Sequence, residues 1–385
     1  MSYIGKTPTS VPLTSSDITD GIITTTKIAD SSVTTEKIVA DTNFRNIIIN
    51  GDMSIAQRTA SVSSLTSSST YKTIDRFATE LGSNGTWTQS QSTDVPTGQG
   101  FAKSLKMDCT STGSGGYLHI TQRFEGQNLQ YLKKGTSSAE SLTLSFWVKS
   151  AKTGTYIAEF RDIDNTRNIS KSYTISSADT WEKKTITFPG DTSGAFGNDN
   201  GSSLELNLWL AAGSGNTSGT LQTNWGSQVA ANRAVGQVNL GDSTSNEWYI
   251  TGVQLETGTA SDFEFLPVDV NLNRCLRYYE TMVTGTTQSL GQALYYNSTT
   301  IYYSHKYRIT KRAVPTLDQV TSNDNYQFFR NNGADAFDGF DSLSNRTTTI
   351  FFELNVSANI SGTAGQAGFL RANNSACFIA FDAEL

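Results

Sequence analysis

Beyond residue 43, segment after segment of this chain places apolar residues at every second position. In SLTLSFWVKS, Leu142, Leu144, Phe146 and Val148 share one face, with Thr143, Ser145, Trp147 and Lys149 on the other. Successive side chains of an extended backbone point to opposite sides, so this is the pattern of a half-buried antiparallel strand; a helical stripe needs spacings of three and four. SLELNLWLAAGS repeats it, with Leu204, Leu206, Leu208 and Leu210 against Glu205, Asn207 and Trp209, and WEKKTITFPG and EWYITGVQLE are shorter strands closed by turn residues. Clusters of Gly, Asn, Asp and Ser punctuate these runs, as turns require. The fold class expected is all-β, a central jelly roll or β-sandwich followed by a smaller C-terminal β-sandwich. The second sandwich is read from ALYYNSTTIYYSHKYRI, a hairpin around Asn297-Ser298, then TTTIFFELNVS and GFLRANNSACFIAFDAEL. One helix is expected between them, in DVNLNRCLRYYE, where Leu272, Cys275, Leu276 and Tyr279 fall at i, i+3, i+4 and i+7 behind the caps Asp269 and Asn271.

Before residue 44 the alternation is absent. Ile23-Thr24-Thr25-Thr26-Lys27-Ile28 aligns with Val33-Thr34-Thr35-Glu36-Lys37-Ile38, and more faintly with Leu13-Thr14-Ser15-Ser16-Asp17-Ile18, a ten-residue repeat. Its apolar residues, Leu13, Ile18, Ile23, Ile28, Val33 and Ile38, come every five positions, which makes neither a helical stripe nor a strand face. Extended, each face would carry one anchor per ten residues and no core, so something outside the segment must bury them. The chain therefore divides into an arm (1–43), a central sandwich (44–268), and a linker helix with a C-terminal sandwich (269–385).

Charge bounds the partners. Charged residues make up 17% and the formal net charge is −6, with no basic stripe, which argues against nucleic acid. MSYIGKTPTSVP lacks the basic start and apolar run of a signal peptide, and no apolar stretch is long enough to span a membrane as a helix, so a cytosolic product without membrane insertion is expected. Cys109, Cys275 and Cys377 are odd in number and far apart, suiting buried thiols better than disulfides or metal ligands.

Catalytic chemistry has little to work with. Glycan hydrolysis needs two carboxylates across a cleft, and no pair can be nominated; Asp162 and Asp164 in RDIDNTRN read as a hairpin end. His119 and His305 are the two histidines, and neither accompanies a nucleophile elbow, so both read as strand residues. With no phosphate loop or zinc spacing, no cofactor is expected and the chain is not expected to be an enzyme. ADAFDGFDS carries Asp335, Asp338 and Asp341, oxygen ligands of a kind that Ca²⁺ uses, but not at EF-hand spacing; a plain turn is the simpler reading.

Aromatic residues point to the ligand class, because sugars stack flat C–H faces on exposed rings. Trp147 and Trp209 lie on the parity opposite the core stripes and are candidates for such a platform, unless a loop or another domain covers them. Trp181 and Trp248 read as core, whereas Trp87 and Trp225 are undecided. In the C-terminal hairpin Tyr295, Tyr296, Tyr302, Tyr303 and Tyr307 cluster, of which Tyr296, Tyr302 and Tyr303 are the glycan-binding candidates.

FRNIIINGDMSIAQR with YKTIDRF, LSFWVKSAKTGTY, DTWEKKTITFPGDTSG, EWYITGVQLETG and NRCLRYY, in that order, resemble the central module of tail fibre proteins of tailed bacteriophages. That module is similar to the carbohydrate-binding jelly rolls of secreted glycoside hydrolases. The Thr-rich decapeptides resemble repeats at the virion-proximal end of such fibres, and GFLRANNSACFIAFDAEL resembles a common fibre C-terminus. The resemblance implies a homotrimeric virion component assembled in the host cytoplasm, held to the phage tail, baseplate or an adaptor through its N-terminus, and recognising a host-surface glycan. Three copies of residues 10–40 running side by side would bury the orphaned anchors against one another. The acidic balance suggests neutral sugars bound with little salt dependence. Relatives of the jelly roll often hold Ca²⁺ with acids in the last strand, where this chain has Ile250-Thr251-Gly252-Val253, which puts that site in doubt. A fibre-borne polysaccharide depolymerase and a secreted carbohydrate-binding protein are the alternatives.

Overall fold

Eleven strands take up the alternating segments between residues 61 and 257: β1 (Ser61–Tyr71), β2 (Ala78–Ser92), β3 (Ser104–Ser111), β4 (Tyr117–Glu125), β5 (Leu142–Ser150), β6 (Gly154–Asp162), β7 (Arg167–Ile175), β8 (Glu182–Phe188), β9 (Ser202–Ala212), β10 (Gly226–Ser227) and β11 (Glu247–Thr257). They belong to a computed structural model that describes residues 45–385 except 287, 323 and 332. The arm, with Leu13, Ile18, Ile23, Ile28, Val33 and Ile38, lies outside the described residues.

The strands pair in the order β10-β7-β6-β9-β4-β2-β3-β11-β5-β8, with β1 beside β2. This path folds back on itself. Phe146 of β5 meets Tyr173 of β7 edge-on at 5.1 Å, and Phe160 of β6 meets Phe188 of β8 at 4.7 Å, although neither pair sits on hydrogen-bonded neighbours. The result is a two-layered sandwich, all-β as expected. Leu142, Leu144, Phe146 and Val148 from one layer and Leu204, Leu206, Leu208 and Leu210 from the other fill its core. In β11 the register slips between Thr251 and Gln254 at Gly252, whose φ of +61° disfavours other residues and whose place a Cβ could not share, since it would come within 2.5 Å of Phe101.

Two short α-helices accompany these strands, α1 (Ser214–Thr217) between β9 and β10 and α2 (Val268–Leu276) after β11. The second is the expected linker, but it ends before Tyr279, and neither Asp269 nor Asn271 caps it; Pro267 stands at its N-cap without a side-chain bond. Asn271 is instead buried, donating to Asp52 at 3.0 Å and Ser54 at 3.1 Å and accepting from the Asn50 amide, so the helix is tied to the 50–54 loop.

The remaining strands are β12 (Tyr279–Thr284), β13 (Ser289–Asn297), β14 (Thr300–Lys306), β15 (Thr316–Gln319), β16 (Tyr326–Arg330), β17 (Gly333–Phe337), β18 (Ser342–Leu343), β19 (Phe351–Val356), β20 (Ala367–Ala372) and β21 (Phe378–Asp382). They form a three-stranded sheet, β12-β21-β15, and a seven-stranded one, β17-β16-β20-β13-β14-β19-β18. Phe381 of the small sheet packs on Phe352 of the large one at 4.4 Å, closing a second sandwich. A polar seam joins the two. Glu125, at the end of β4, takes a bidentate bond from Arg277 at 2.7 Å and the Tyr278 hydroxyl at 2.6 Å. Residues 382–385 run back along the first sandwich, where buried Arg76 pairs with Glu384 and Arg123 donates to the Leu385 carbonyl at 3.2 Å. All three cysteines are buried and free. No described helix is long and apolar enough to cross a membrane.

Candidate functional site: a cleft on the outer face of the first sandwich

Four adjacent strands, β2, β4, β9 and β6, turn their non-core faces the same way, and their register stacks polar residues in rows. Glu80 pairs with His119 and His119 with Trp209; Thr121 pairs with Asn207 and Asn207 with Glu159; Arg123 pairs with Glu205 and Glu205 with Arg161. A strand face that carries two arginines and three glutamates is not a plain solvated surface, because its charges are bonded to one another across the strands. Arg123 donates to Glu80 at 2.5 Å and to Glu205 at 3.0 Å, and Arg161 reaches the other Glu205 oxygen at 2.7 Å.

The segment between β9 and β11 folds over one side of this face. From it Asn216 and Arg233 join Glu80, Tyr117, His119, Thr121, Arg123, Arg161, Glu205 and Trp209 around a cavity of about 390 Å³. That volume is within the range of small-ligand sites. Beneath the row, fully buried Glu159 accepts from Arg233 through both Nε (2.8 Å) and Nη2 (2.9 Å), from Trp209 Nε1 (3.0 Å), and from Asn168 and Asn207. One carboxylate thus orients both the tryptophan and the arginine.

One wall is aromatic. The His119 ring lies 4.6 Å from Trp209 and 5.9 Å from Tyr117, and the Arg233 guanidinium sits 4.9 Å from the Trp209 ring centre. The tautomer of His119 follows from the bonds. Asn207 gives its Nδ2 to Glu159, so its Oδ1 accepts from the Thr121 hydroxyl at 2.6 Å. With its hydrogen used there, Thr121 Oγ1 accepts from His119 Nδ1–H at 2.9 Å. Nε2 is left as a bare acceptor without a protein partner among the described residues. Burial, and then the positive charges of Arg233, Arg161 and Arg123, hold the imidazole well below its ordinary pKa, so it is neutral.

The residues singled out in the sequence fall in different places. Trp209 borders the cavity but is not an exposed platform: it is fully buried, packed with Ile157 and Ala234 beneath the segment that crosses the face. Trp147 is half-buried on the outer side of the opposite layer, so the two tryptophans share no site. Trp181, expected in the core, is half-buried, with its indole donating to Asp94 at 2.9 Å. Tyr303 is buried at 2% exposure, its hydroxyl bonded to the Leu290 carbonyl, which removes it as a ligand contact. Tyr296, at 69% exposure, and half-buried Tyr302 form an edge-to-face pair at 5.5 Å on the outer side of the seven-stranded sheet. Asp335, Asp338 and Asp341 diverge to Arg330, the Asp324 amide and Ser357 respectively, so they make no common ligand set.

Tyr117, His119, Arg123, Arg161 and Arg233 were not nominated by the sequence. YLHITQRFE does alternate Leu118, Ile120 and Phe124 against Tyr117, His119, Thr121 and Arg123. That signal marks the outer face but not which strands lie beside it.

No protein-family model matches the chain, and no curated protein does. Among solved structures it is similar to the enzymatically active domain of tailspike protein 4 of bacteriophage CBA120, with 15% identity over 56% of this chain and 22% of that one and a TM-score of 0.32. It is similar also to a CBM4 structure, with 12% identity over 54% of this chain and 98% of that one and a TM-score of 0.29. A third is the family 11 carbohydrate-binding module from Clostridium thermocellum in complex with a mixed-linked tetrasaccharide, with 14% identity over 49% and 91% and a TM-score of 0.26.

Proposed function

We propose that this protein is a homotrimeric tail fibre of a tailed bacteriophage that binds a host-surface glycan in the cavity on its first sandwich, and that residues 1–43 attach it to the tail. The observation that carries the glycan reading is the cavity itself, where an aromatic wall of Tyr117, His119 and Trp209 faces bonded arginines and glutamates. A sugar needs both, a surface for its C–H face and directional partners for its hydroxyls. The virion role rests on the order of the quoted segments and on the decapeptide arm. Single sites bind sugars weakly, and three linked copies raise avidity by roughly 10² to 10⁴.

The reading favours adhesion over cutting. Glu80 and Glu205 are ion-paired to the same Arg123, an arrangement that sets them as hydrogen-bond acceptors. Two carboxylates in one cavity are nevertheless the observation that keeps a depolymerase as the second reading, and release of reducing ends from host polysaccharide would establish it.

The test is adhesion of purified protein to host cells, comparing Tyr117→Ala with the parent; loss of binding by a folded variant is expected, and unchanged binding counts against the cavity. Light scattering should give about 125 kDa, three times 41.7 kDa. A monomeric mass at micromolar concentration would end the trimer reading.

A further inference from the structure

The hydrogen-bonding capacity of the cavity is unbalanced. Its carboxylates are taken: Glu159 is buried under five donors, Glu205 lies between Arg123 and Arg161, and Glu80 is held by Arg123. Its guanidiniums are not. Arg123 uses Nε on Glu205, Nη1 on the Leu385 carbonyl and Nη2 on Glu80. Arg161 uses Nε on Gln228 and Nη1 on Glu205, and Arg233 uses Nε and Nη2 on Glu159. Each guanidinium offers five N–H groups. Arg161 Nη2 and Arg233 Nη1 are therefore uncommitted among the described residues, and both side chains line the cavity.

Exposure is skewed in the same direction. Arg161, Arg123 and Arg233 are 26%, 17% and 13% exposed, whereas Glu80, Glu205 and Glu159 are 12%, 9% and 0%. What the cavity shows a ligand is mostly guanidinium edge, although the charges formally cancel. The same field, acting with burial, is what keeps His119 neutral.

We propose that the cavity selects an acidic sugar, whose ring lies against Tyr117, His119 and Trp209 and whose carboxylate is bound by Arg161 Nη2 and Arg233 Nη1. This rests on the cavity being a glycan site and replaces the neutral sugar expected from the acidic composition. A carboxylate brings acceptors without donors, which is what two unpaired N–H₂ edges need, and charge-assisted bonds of this kind are roughly twice as strong as neutral ones. A sugar hydroxyl donates to His119 Nε2. Because the whole chain is acidic, the attraction is local to the cavity and not a long-range field.

The test uses the full chain and two oligosaccharides of equal length and linkage, one of galacturonic acid and one of galactose, with binding measured by calorimetry at low and high NaCl. At least tenfold tighter binding of the acidic ligand is expected, with the margin shrinking as salt rises. Arg161→Gln should bring the two ligands within about threefold while leaving the thermal midpoint near that of the parent, since Arg161 is partly exposed and Glu205 keeps Arg123. Equal binding of both ligands by the parent, abolished by Tyr117→Ala, overturns the acidic preference and leaves the glycan site standing. Binding of neither overturns the acidic-sugar assignment, and host adhesion by Tyr117→Ala at the parent's level overturns the glycan site as well.

Discussion

Trp209 Nε1 donates to Glu159 Oε2 at 3.0 Å, and the same carboxylate takes both Nε and Nη2 of Arg233. A tryptophan on β9 and an arginine on a crossing loop are thereby fixed to one buried charge on β6. The aromatic wall and the guanidinium wall of the cavity are parts of one network.

Glu159→Ala should accordingly do more than remove a contact. It leaves Arg233 with 13% exposure and no counter-charge, and removing one partner of a buried pair costs about 3–5 kcal/mol. Denaturant unfolding should show that loss, together with loss of the glycan binding proposed for the cavity. A cost below about 1 kcal/mol would mean that the network does not hold the cleft together.

His119 should be neutral and carry its hydrogen on Nδ1 at pH values where a free imidazole is half protonated. Its folded pKa lies below the ordinary value of 6.5, so the unfolded chain binds the proton more readily. By linkage this group's contribution to stability is complete above pH 6.5 and is lost as pH falls below it toward the folded pKa. Nitrogen-15 NMR of the two ring nitrogens reads the tautomer and titration directly. An Nε2–H signal would break the hydrogen-bond chain from His119 through Thr121 to Asn207. A His119→Gln variant should lack the corresponding loss of stability on acidification.

Lys134 occupies a cage of oxygens: Asp162 at 2.6 Å, Asp191 at 3.1 Å, and the Ser193 and Gly194 carbonyls at 2.8 and 2.7 Å. Its ammonium stands where a hard cation could be bound. Lys134→Ala leaves fully buried Asp162 without its cation, while Asp191 keeps Arg167 at 2.8 Å, and should cost about 3 kcal/mol. Millimolar Ca²⁺, which takes oxygen ligands of these types, should recover part of the thermal midpoint in the variant and none in the parent. Absence of any Ca²⁺ effect would show that the cage is too small or too rigid.

The two tyrosines of the hairpin separate folding from surface contact. Tyr303→Ala removes a buried ring and should cost about 3 kcal/mol or more, whereas Tyr296→Ala, at 69% exposure, should stay within about 0.5 kcal/mol. Thermal unfolding of the two variants checks this, and a larger effect at Tyr296 would place that ring in a contact between copies of the chain.

Alternation by itself determined that Leu204 to Leu210 and Leu142 to Val148 face a core, and so that Glu205, Asn207, Trp209 and Trp147 face away from it. This is a local property: a strand's two faces are set by its own pleat, and burial of one face follows from its apolar residues alone. The turn at the end of β6 by Asp162 was legible from equally local chemistry, the preference of Asp and Asn for turns, and the helix from its own spacing, although its caps and its end were not. What covers the other face is not local. Trp209 became an enclosed wall because the segment after β9 doubles back and sets Ala234, twenty-five residues further along the chain, against it, while Trp147 on the opposite layer stayed half-buried. Likewise His119, Arg161 and Glu205 are scattered along the chain and meet only because β4, β9 and β6 are neighbours in the sheet. Strand order is chosen by the packing energy of the whole sandwich, so the site that depends on it existed only once the tertiary structure had formed.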